Sequence, residues 1–243
     1  MYRGIFADAA ISPEARALYD SVESDPETER ALLRVDEHDI STGVHMRGVG
    51  ELMGHFAVEV LGELDDAAKY TAVRVAALHD IGKIDTPGDI LRKPGKPSED
   101  EWALIKEHPV TGFRRYAELF SPQEALPVLL HHTFQENAYP GLGDYVTMMK
   151  EFGLGLDAAD EQTMYVTAAL AVADNIEARF PVHPISGPYQ STRTYAERNY
   201  SVQDLPLLVL ASFTEAGYMR QQGLEPLLNQ LTECSQDTLR TIA

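Results

Sequence analysis

Apolar side chains recur along much of the chain at the spacing of an α-helix. A segment from His45 to about Leu64 presents one apolar face, marked by Val49, Leu52, Met53, Phe56, Val60 and Leu61. The next apolar run, Val73 to Leu78, predicts the last turns of a buried helix over about residues 70–81, which we expect to pack on that face. Turn-forming residues separate helix-like segments rather than strands. The pattern therefore predicts an all-α protein.

Proline, glycine and capping residues delimit the other predicted helices. We expect a helix from Pro13 to about Val35 to break at Asp25-Pro26, and a Ser98 to Glu101 capping box to begin a short helix that ends near Lys106. Loops are expected over residues 86–97 and 135–144. Further helices are predicted at Pro109 to Leu119, Pro127 to His132, Thr163 to Ala178, Leu205 to Gln222 and Leu224 to Thr241.

The length of the chain favours one substantial core. Its 243 residues are 44% hydrophobic, which suits a single domain better than two small ones. We expect an N-terminal helical segment over residues 1–35, a core over residues 36–184 and a C-terminal helical extension over residues 185–243 that packs on the core.

Charge and cysteine content narrow the chemistry. The net charge of −18 disfavours extended contact with nucleic acid or with an anionic membrane, although cations inside a cleft can still attract a small anion. The single cysteine, Cys234, cannot form a thiolate cluster, so a metal would have to bind through nitrogen and oxygen. No apolar run of membrane-spanning length and no export signal occurs, so we expect a cytoplasmic protein.

The pair His79-Asp80 follows the buried apolar run. A buried imidazole beside a carboxylate is costly unless something compensates it, and a metal ion bound by both side chains would do so. The alternative is an ordinary helix end, with Gly82 in a left-handed conformation that stops the helix.

Other residues of the same chemistry are scattered along the chain. His45 has an ordinary interpretation as a solvated helix start, and His108 has one as a loop residue before proline. Lys83 could simply complement a helix dipole. Two features are harder to explain without a cation. Adjacent histidines reach one ion only where a helix ends, and a carboxylate on a helix that is apolar nearly all round needs a positive partner. These two cases are His131-His132 and Asp174.

Taken in order, these residues resemble the HD superfamily of metal-dependent phosphohydrolases, and in detail its HD-GYP branch. The similarity covers about residues 36–180. It is carried by His45, His79-Asp80-Ile81-Gly82-Lys83, Pro87, Ile90-Leu91-Arg92-Lys93-Pro94-Gly95, Glu101, His108-Pro109, Gly112, His131-His132 and Asp174.

The resemblance implies an HD-domain helical bundle with extra N- and C-terminal helices, and two divalent metal ions. One metal would be held by His45, His79, Asp80 and Asp174, and the other by Asp80, His108, His131 and His132. Iron or manganese is favoured, and zinc, magnesium or nickel is also compatible with nitrogen and oxygen ligands. Ser41 stands where some members have a glutamate for a third metal, which favours two metals.

The implied activity is hydrolysis of a cyclic dinucleotide or related nucleotide phosphoester by a hydroxide that bridges the two metals. Asp80 and Lys83 would be catalytic, and Lys83, Tyr139 and Pro140 would contact a small phosphorylated substrate. The signature segment departs from the family pattern: Thr133 to Pro140 is one residue short and has Ala138 in place of a glycine, and Gly48 replaces an arginine. Two alternatives stay open, a metal- and nucleotide-binding module without turnover and a di-iron oxygenase. A homodimer also stays open.

Overall fold

The computed structural model describes residues 12–133, 138–179 and 230, and within these residues it contains helices and no strand. This confirms the all-α prediction. The α-helices are α1 (Pro13–Glu23), α2 (Pro26–His38), α3 (Ile40–Glu59), α4 (Asp66–Leu78), α5 (Gly88–Leu91), α6 (Glu99–Ile105), α7 (His108–Leu119), α8 (Leu126–Leu130), α9 (Leu142–Glu151) and α10 (Glu161–Arg179), with one 3₁₀ helix at Ile81–Asp85 between α4 and α5.

Helix α3 is the central element of the fold. It packs against α1, α2, α4 and α10, and most of its side chains are buried around Met53 and Phe56. Burial on nearly all sides explains why this helix is apolar round most of its circumference. Because α3 contacts four other helices, its position in the fold is well defined.

The predicted start of this central helix at His45 was wrong. The helix begins at Ile40, because the buried side chain of Asp39 accepts hydrogen bonds from the backbone N–H of Thr42 (2.9 Å), from the Thr42 hydroxyl (2.7 Å) and from Ser41 Oγ (2.5 Å). His45 therefore lies within the helix, where it is 7% exposed, and is not a solvated helix start.

Gly82 serves a close approach between two elements. A Cβ atom at this position would lie 2.1 Å from the carbonyl oxygen of His108 and 2.5 Å from the backbone nitrogen of Gly112. Among the described glycines only Gly95 and Gly153 have positive φ, so the alternative of a left-handed helix stop at Gly82 was wrong. The missing side chain instead lets the 3₁₀ helix pack directly on α7.

Several predicted boundaries are confirmed and some elements were missed. The break at Asp25-Pro26 and the capping box at Ser98 are present. Helix α9 overlaps the predicted loop over residues 135–144, and α5 lies in the predicted loop over residues 86–97. The helices predicted over residues 205–222 and 224–241 and the extension over 185–243 fall outside the described residues, apart from Gln230.

Within the described part of the chain, no helix is both long enough and apolar enough to cross a lipid bilayer.

Candidate metal centre

Five segments bring the predicted metal ligands together. His45 lies in the second turn of α3, and His79-Asp80 joins α4 to the 3₁₀ helix. His108 begins α7, His131-His132 follows α8, and Asp174 lies in the C-terminal half of α10. All seven residues are between 0% and 9% exposed. Burial of so many polar groups requires a compensating partner for each.

The first group consists of His45, His79 and Asp174. One candidate ligand atom from each residue lies within 4.8 Å of the others. His45 Nε2 is 3.0 Å from Asp174 Oδ1, and His79 Nε2 is 3.8 Å from the same oxygen. The group thus offers two nitrogen atoms and one carboxylate.

The second group consists of His108, His131 and His132. His108 Nε2 lies 3.3 Å from His131 Nε2 and 3.2 Å from His132 Nε2. Helix α8 ends at Leu130, and one ligand atom of each adjacent histidine lies within 4.8 Å of the other and of His108, so both face the same point. This group offers three nitrogen atoms and no carboxylate of its own.

Asp80 lies between the two groups. Its Oδ2 atom is 3.7 Å from His45 Nε2 and 3.5 Å from His79 Nε2, whereas Oδ1 is 3.1 Å from His108 Nε2. The ammonium group of Lys83, one turn later, donates a hydrogen bond to Oδ2. One carboxylate therefore has an oxygen toward each group.

Backbone carbonyls set the tautomer of three of the rings. The Nδ1 atoms of His79, His108 and His131 lie 2.9, 2.7 and 2.7 Å from the carbonyl oxygens three residues earlier, those of Ala76, Ile105 and Val128. A carbonyl oxygen can only accept, so each Nδ1 carries the proton. Each Nε2 lone pair then points into the centre, which is the usual arrangement of metal-ligating histidines.

Burial keeps these rings neutral. Removal from water is the largest influence on the three pKa values: it lowers the pKa of His108 to about 3 and of His131 to about 4, and it lowers that of His79 as well. Burial also lowers the pKa of His132 well below its ordinary value. At neutral pH these nitrogen atoms are unprotonated and able to bind a cation.

His45 has the opposite electrostatic environment. Burial acts to lower its pKa, but the carboxylates of Glu177 and Asp174 outweigh burial and raise the pKa to about 9. In the absence of a metal, a proton on His45 partly offsets the negative charge of these neighbours. The same negative charge would attract a divalent cation.

The centre fits divalent cations because several acceptors face one another. With Nδ1 protonated, His108 Nε2 is an acceptor directed at an acceptor oxygen of Asp80 only 3.1 Å away. His79 Nε2 and Asp80 Oδ1 are buried and have no hydrogen-bond partner. Unpaired buried acceptors cost roughly 1–3 kcal/mol each, and positive charge between them would remove that cost. The nitrogen and oxygen donors suit divalent transition metals.

Sequence reasoning missed Glu177. This residue is 1% exposed, lies three positions after Asp174 on the same face of α10, and contacts His45 Nδ1. A charged residue one turn after a buried aspartate, on an otherwise apolar helix, was the signal available in the sequence.

The predicted substrate residues lie beside the second group. The ring of Tyr139 stacks on His132, with centroids 4.5 Å apart and planes 30° apart, and it lies 6.0 Å from the His108 ring. Tyr139 and Pro140 are both partly exposed, and the Lys83 side chain is 23% exposed. Burial, together with the nearby carboxylates of Asp174 and Asp80, raises the pKa of Tyr139, so its hydroxyl stays protonated at neutral pH.

The chain is similar in sequence to phosphodiesterases that act on cyclic dinucleotides. The chain is 32% identical over 148 residues to a cyclic di-GMP phosphodiesterase of Pseudomonas aeruginosa, an alignment that covers 59% of this chain and 35% of the relative. It is 31% identical over 161 residues to a cyclic di-GMP phosphodiesterase of Thermotoga maritima, covering 65% and 40%. A 3'3'-cGAMP-specific phosphodiesterase of Vibrio cholerae is 42% identical over 77 residues, covering 30% and 17%. The chain thus spans less than half the length of these relatives.

The family comparison covers the whole candidate centre. The HD domain matches residues 42–179, from the first turn of α3 to the end of α10. All seven predicted ligands and Glu177 lie within this stretch. The chain therefore belongs to the HD domain family.

Proposed function

We propose that this protein is a metal-dependent phosphodiesterase that hydrolyses a cyclic dinucleotide or a related nucleotide phosphoester. The observation that carries the proposal is the pair of adjoining ligand groups joined by the carboxylate of Asp80. The activities named for the relatives support the same chemistry.

Two divalent cations, iron or manganese in our proposal, would be held by the first and second groups with Asp80 shared between them. Such cations supply a water of lowered pKa at neutral pH and offset negative charge on the phosphoryl oxygens. The protein prepares the centre for them by keeping the histidines neutral and by directing each Nε2 inward. Burial of the ligands excludes bulk water and strengthens each electrostatic interaction.

Lys83 is proposed to bind a phosphoryl oxygen. Its ammonium group is held next to Asp80 Oδ2, yet almost a quarter of the side chain is exposed. In a chain of net charge −18, a cation at the mouth of the centre gives an anionic substrate a local point of attraction. Asp80 and Lys83 therefore act together, one by joining the two ligand groups and one by orienting the phosphate.

Tyr139 is proposed to contact a base of the substrate. One face of its ring stacks on His132, which fixes the ring at the edge of the centre, and the residue stays partly exposed. Aromatic rings of this kind stack on nucleobases with little preference for sequence. Pro140, the next residue, would shape the same edge.

The proposal is tested by hydrolysis assays on protein loaded anaerobically with Fe²⁺ or Mn²⁺. We expect release of nitrophenol from bis(p-nitrophenyl) phosphate, and of linear dinucleotide or mononucleotide from cyclic di-GMP or 3'3'-cGAMP. Asp80→Ala, prepared and loaded in the same way, is the control. Turnover equal to that control on every substrate would contradict hydrolysis. Saturable dinucleotide binding without product would point to a binding module, and substrate-coupled oxygen uptake to an oxygenase.

A further inference from the structure

We infer that Glu177 is a positioning residue that makes the two ligand groups unequal, so that the first group binds its divalent cation more tightly and fills before the second. This inference rests on the metal binding proposed above. It states which of the two groups binds a cation first, and it attributes that difference to Glu177, a side chain that does not itself bind the metal.

The position of Glu177 couples it to the centre. It follows Asp174 by three residues on α10, so both carboxylates lie on one face of the helix. The Glu177 side chain is 0% exposed, and Oε2 contacts Nδ1 of His45, which lies 132 residues away in the sequence. The contact joins α10 to α3 behind the ring, on the side opposite the Nε2 atom that faces Asp174.

The partner of His45 differs in kind from the partners of three other rings. His79, His108 and His131 each donate through Nδ1 to a neutral backbone carbonyl, whereas His45 is paired with a carboxylate. A carboxylate behind a histidine raises the basicity of its other nitrogen and fixes the orientation of the ring. His45 should therefore be the strongest nitrogen donor of these four.

The distribution of charge points the same way. The first group includes the carboxylate of Asp174 and has Glu177 directly behind it, whereas the second group consists of three imidazoles. Asp80 has one oxygen toward each group, and Lys83 donates to the oxygen on the side of the first group, which offsets part of the Asp80 charge there without cancelling the charges of Asp174 and Glu177. Each additional negative charge close to a cation in a buried environment strengthens binding. The first group has two carboxylates of its own nearby and the second has none, so a cation should bind more tightly at the first group.

The test measures stepwise Mn²⁺ binding by isothermal titration calorimetry on the full chain, with free Mn²⁺ followed by electron paramagnetic resonance. We expect two steps for the unaltered protein. Glu177→Gln should weaken the tighter step by about 10- to 100-fold and leave the weaker step unchanged. His108→Ala should remove the weaker step and leave the tighter one.

Glu51→Gln is the matched control, because Glu51 is another buried carboxylate, 3.1 Å from Arg16 and part of α3. We expect this change to lower stability without altering either Mn²⁺ step. Should Glu177→Gln fail to unfold cooperatively by circular dichroism, Glu177→Asp keeps the charge with a shorter reach and should weaken the tighter step less.

The outcomes separate this inference from the proposed function. Two unaltered binding steps in the Glu177 variants, or loss of the tighter step in His108→Ala, would overturn the order of filling and leave the phosphodiesterase proposal standing. Equal weakening of both steps by Glu177→Gln would show a general structural role and overturn it too. If the unaltered protein binds no Mn²⁺, the order of filling is overturned, whereas the phosphodiesterase proposal is decided separately by hydrolysis with the Fe²⁺-loaded protein.

Discussion

At the scale of single residues, the centre is defined by acceptors that lack donors. His79 Nε2 and Asp80 Oδ1 are buried without hydrogen-bond partners. The ring protons of His79 and His108 lie on Nδ1, which donates each of them to a backbone carbonyl. A folded protein rarely leaves such groups unpaired. The arrangement is stable when cations occupy the space that the acceptors face, which ties the residue chemistry to the proposed function.

The stacked tyrosine gives a first prediction at this scale. Tyr139→Ala should raise the KM for a cyclic dinucleotide by about 5- to 150-fold, because one base loses a stacking partner worth about 1–3 kcal/mol. Tyr139→Phe keeps the ring and should stay close to the unaltered KM. Steady-state kinetics with both variants provides the measurement. A similar loss in both variants would assign the effect to the hydroxyl group and contradict a stacking role.

Gly82 gives a second prediction. Gly82→Ala should lower the free energy of unfolding by about 1–3 kcal/mol, because the new Cβ would collide with the backbone of α7 at His108 and Gly112. It should also reduce metal affinity, since the 3₁₀ helix begins directly after Asp80. Urea unfolding and Mn²⁺ titration measure the two effects. The control is Gly143→Ala on α9, where a Cβ would meet nothing within 4 Å; equal stability of the two variants would contradict the close approach.

At the scale of elements, five of the seven proposed metal ligands lie at or next to helix ends, whereas His45 and Asp174 lie within α3 and α10. His79, His131 and His132 follow the last residues of α4 and α8, and His108 begins α7. Side chains at a helix end can diverge from the helical repeat, which is why consecutive residues can face one point. The capping and packing that set these ends therefore also set the geometry of the centre.

The break between α1 and α2 gives a third prediction. Asp25 accepts hydrogen bonds from the backbone N–H groups of Glu27 (3.2 Å) and Thr28 (3.0 Å). Asp25→Ala should cost about 1 kcal/mol of stability, as is typical for loss of such a cap. Chemical unfolding at pH 7 measures the difference.

The contribution of the Asp25 cap to stability should decrease in acid. The backbone hydrogen bond from Thr28 is the largest of the influences that lower the pKa of Asp25 from its ordinary value of 3.8. Because the folded-state pKa is the lower one, the stabilisation is fully present above pH 3.8 and is lost as the pH falls through the folded value. Asp25→Asn keeps a capping side chain and removes the charge, so it should not show this loss. A difference between Asp25→Ala and the unaltered protein that persists in acid would contradict the assignment.

Some helix boundaries could be predicted from the sequence, and others could not. The break at Asp25-Pro26 and the capping box at Ser98 were predictable because proline and capping side chains act on their immediate neighbours. Helix α9 was not predicted: it begins with Leu142, which is 78% exposed, and buries Met148 and Met149 only against other elements. Its apolar residues Leu142, Tyr145 and Met149 have helical spacing, but a helix of ten residues is marginal by itself and depends on packing against other elements.

At the scale of the whole molecule, folding and metal binding should be coupled. The ligands come from five segments between residues 45 and 174, and an unfolded chain cannot gather them around one point. A ligand that binds only the folded state stabilises it by mass action, by about 2.7 kcal/mol at a hundredfold excess over the Kd. The proposed ligand residues should therefore contribute most to stability when a metal is bound.

Metal removal gives the fourth prediction. Stripping the protein with a chelator should lower Tm, and restoring Mn²⁺ to a hundredfold excess over the Kd should raise it by about 5–10 °C for a chain of this size. Scanning calorimetry provides the measurement. Asp80→Ala, which removes the shared carboxylate, should show a much smaller shift. A shift in Asp80→Ala as large as in the unaltered protein would place the bound metal elsewhere.

The helical class, most helix positions and the types of residue in the centre could be predicted from the sequence, because helical periodicity, capping and residue chemistry are local properties. The convergence of the acceptors, the orientation of the two Asp80 oxygens and the contact of Glu177 with His45 became known only from the folded structure. It also showed that Gly82 serves a close contact rather than a left-handed turn. These are distances between residues far apart in the chain, and such distances are set by the packing of helices rather than by any local pattern.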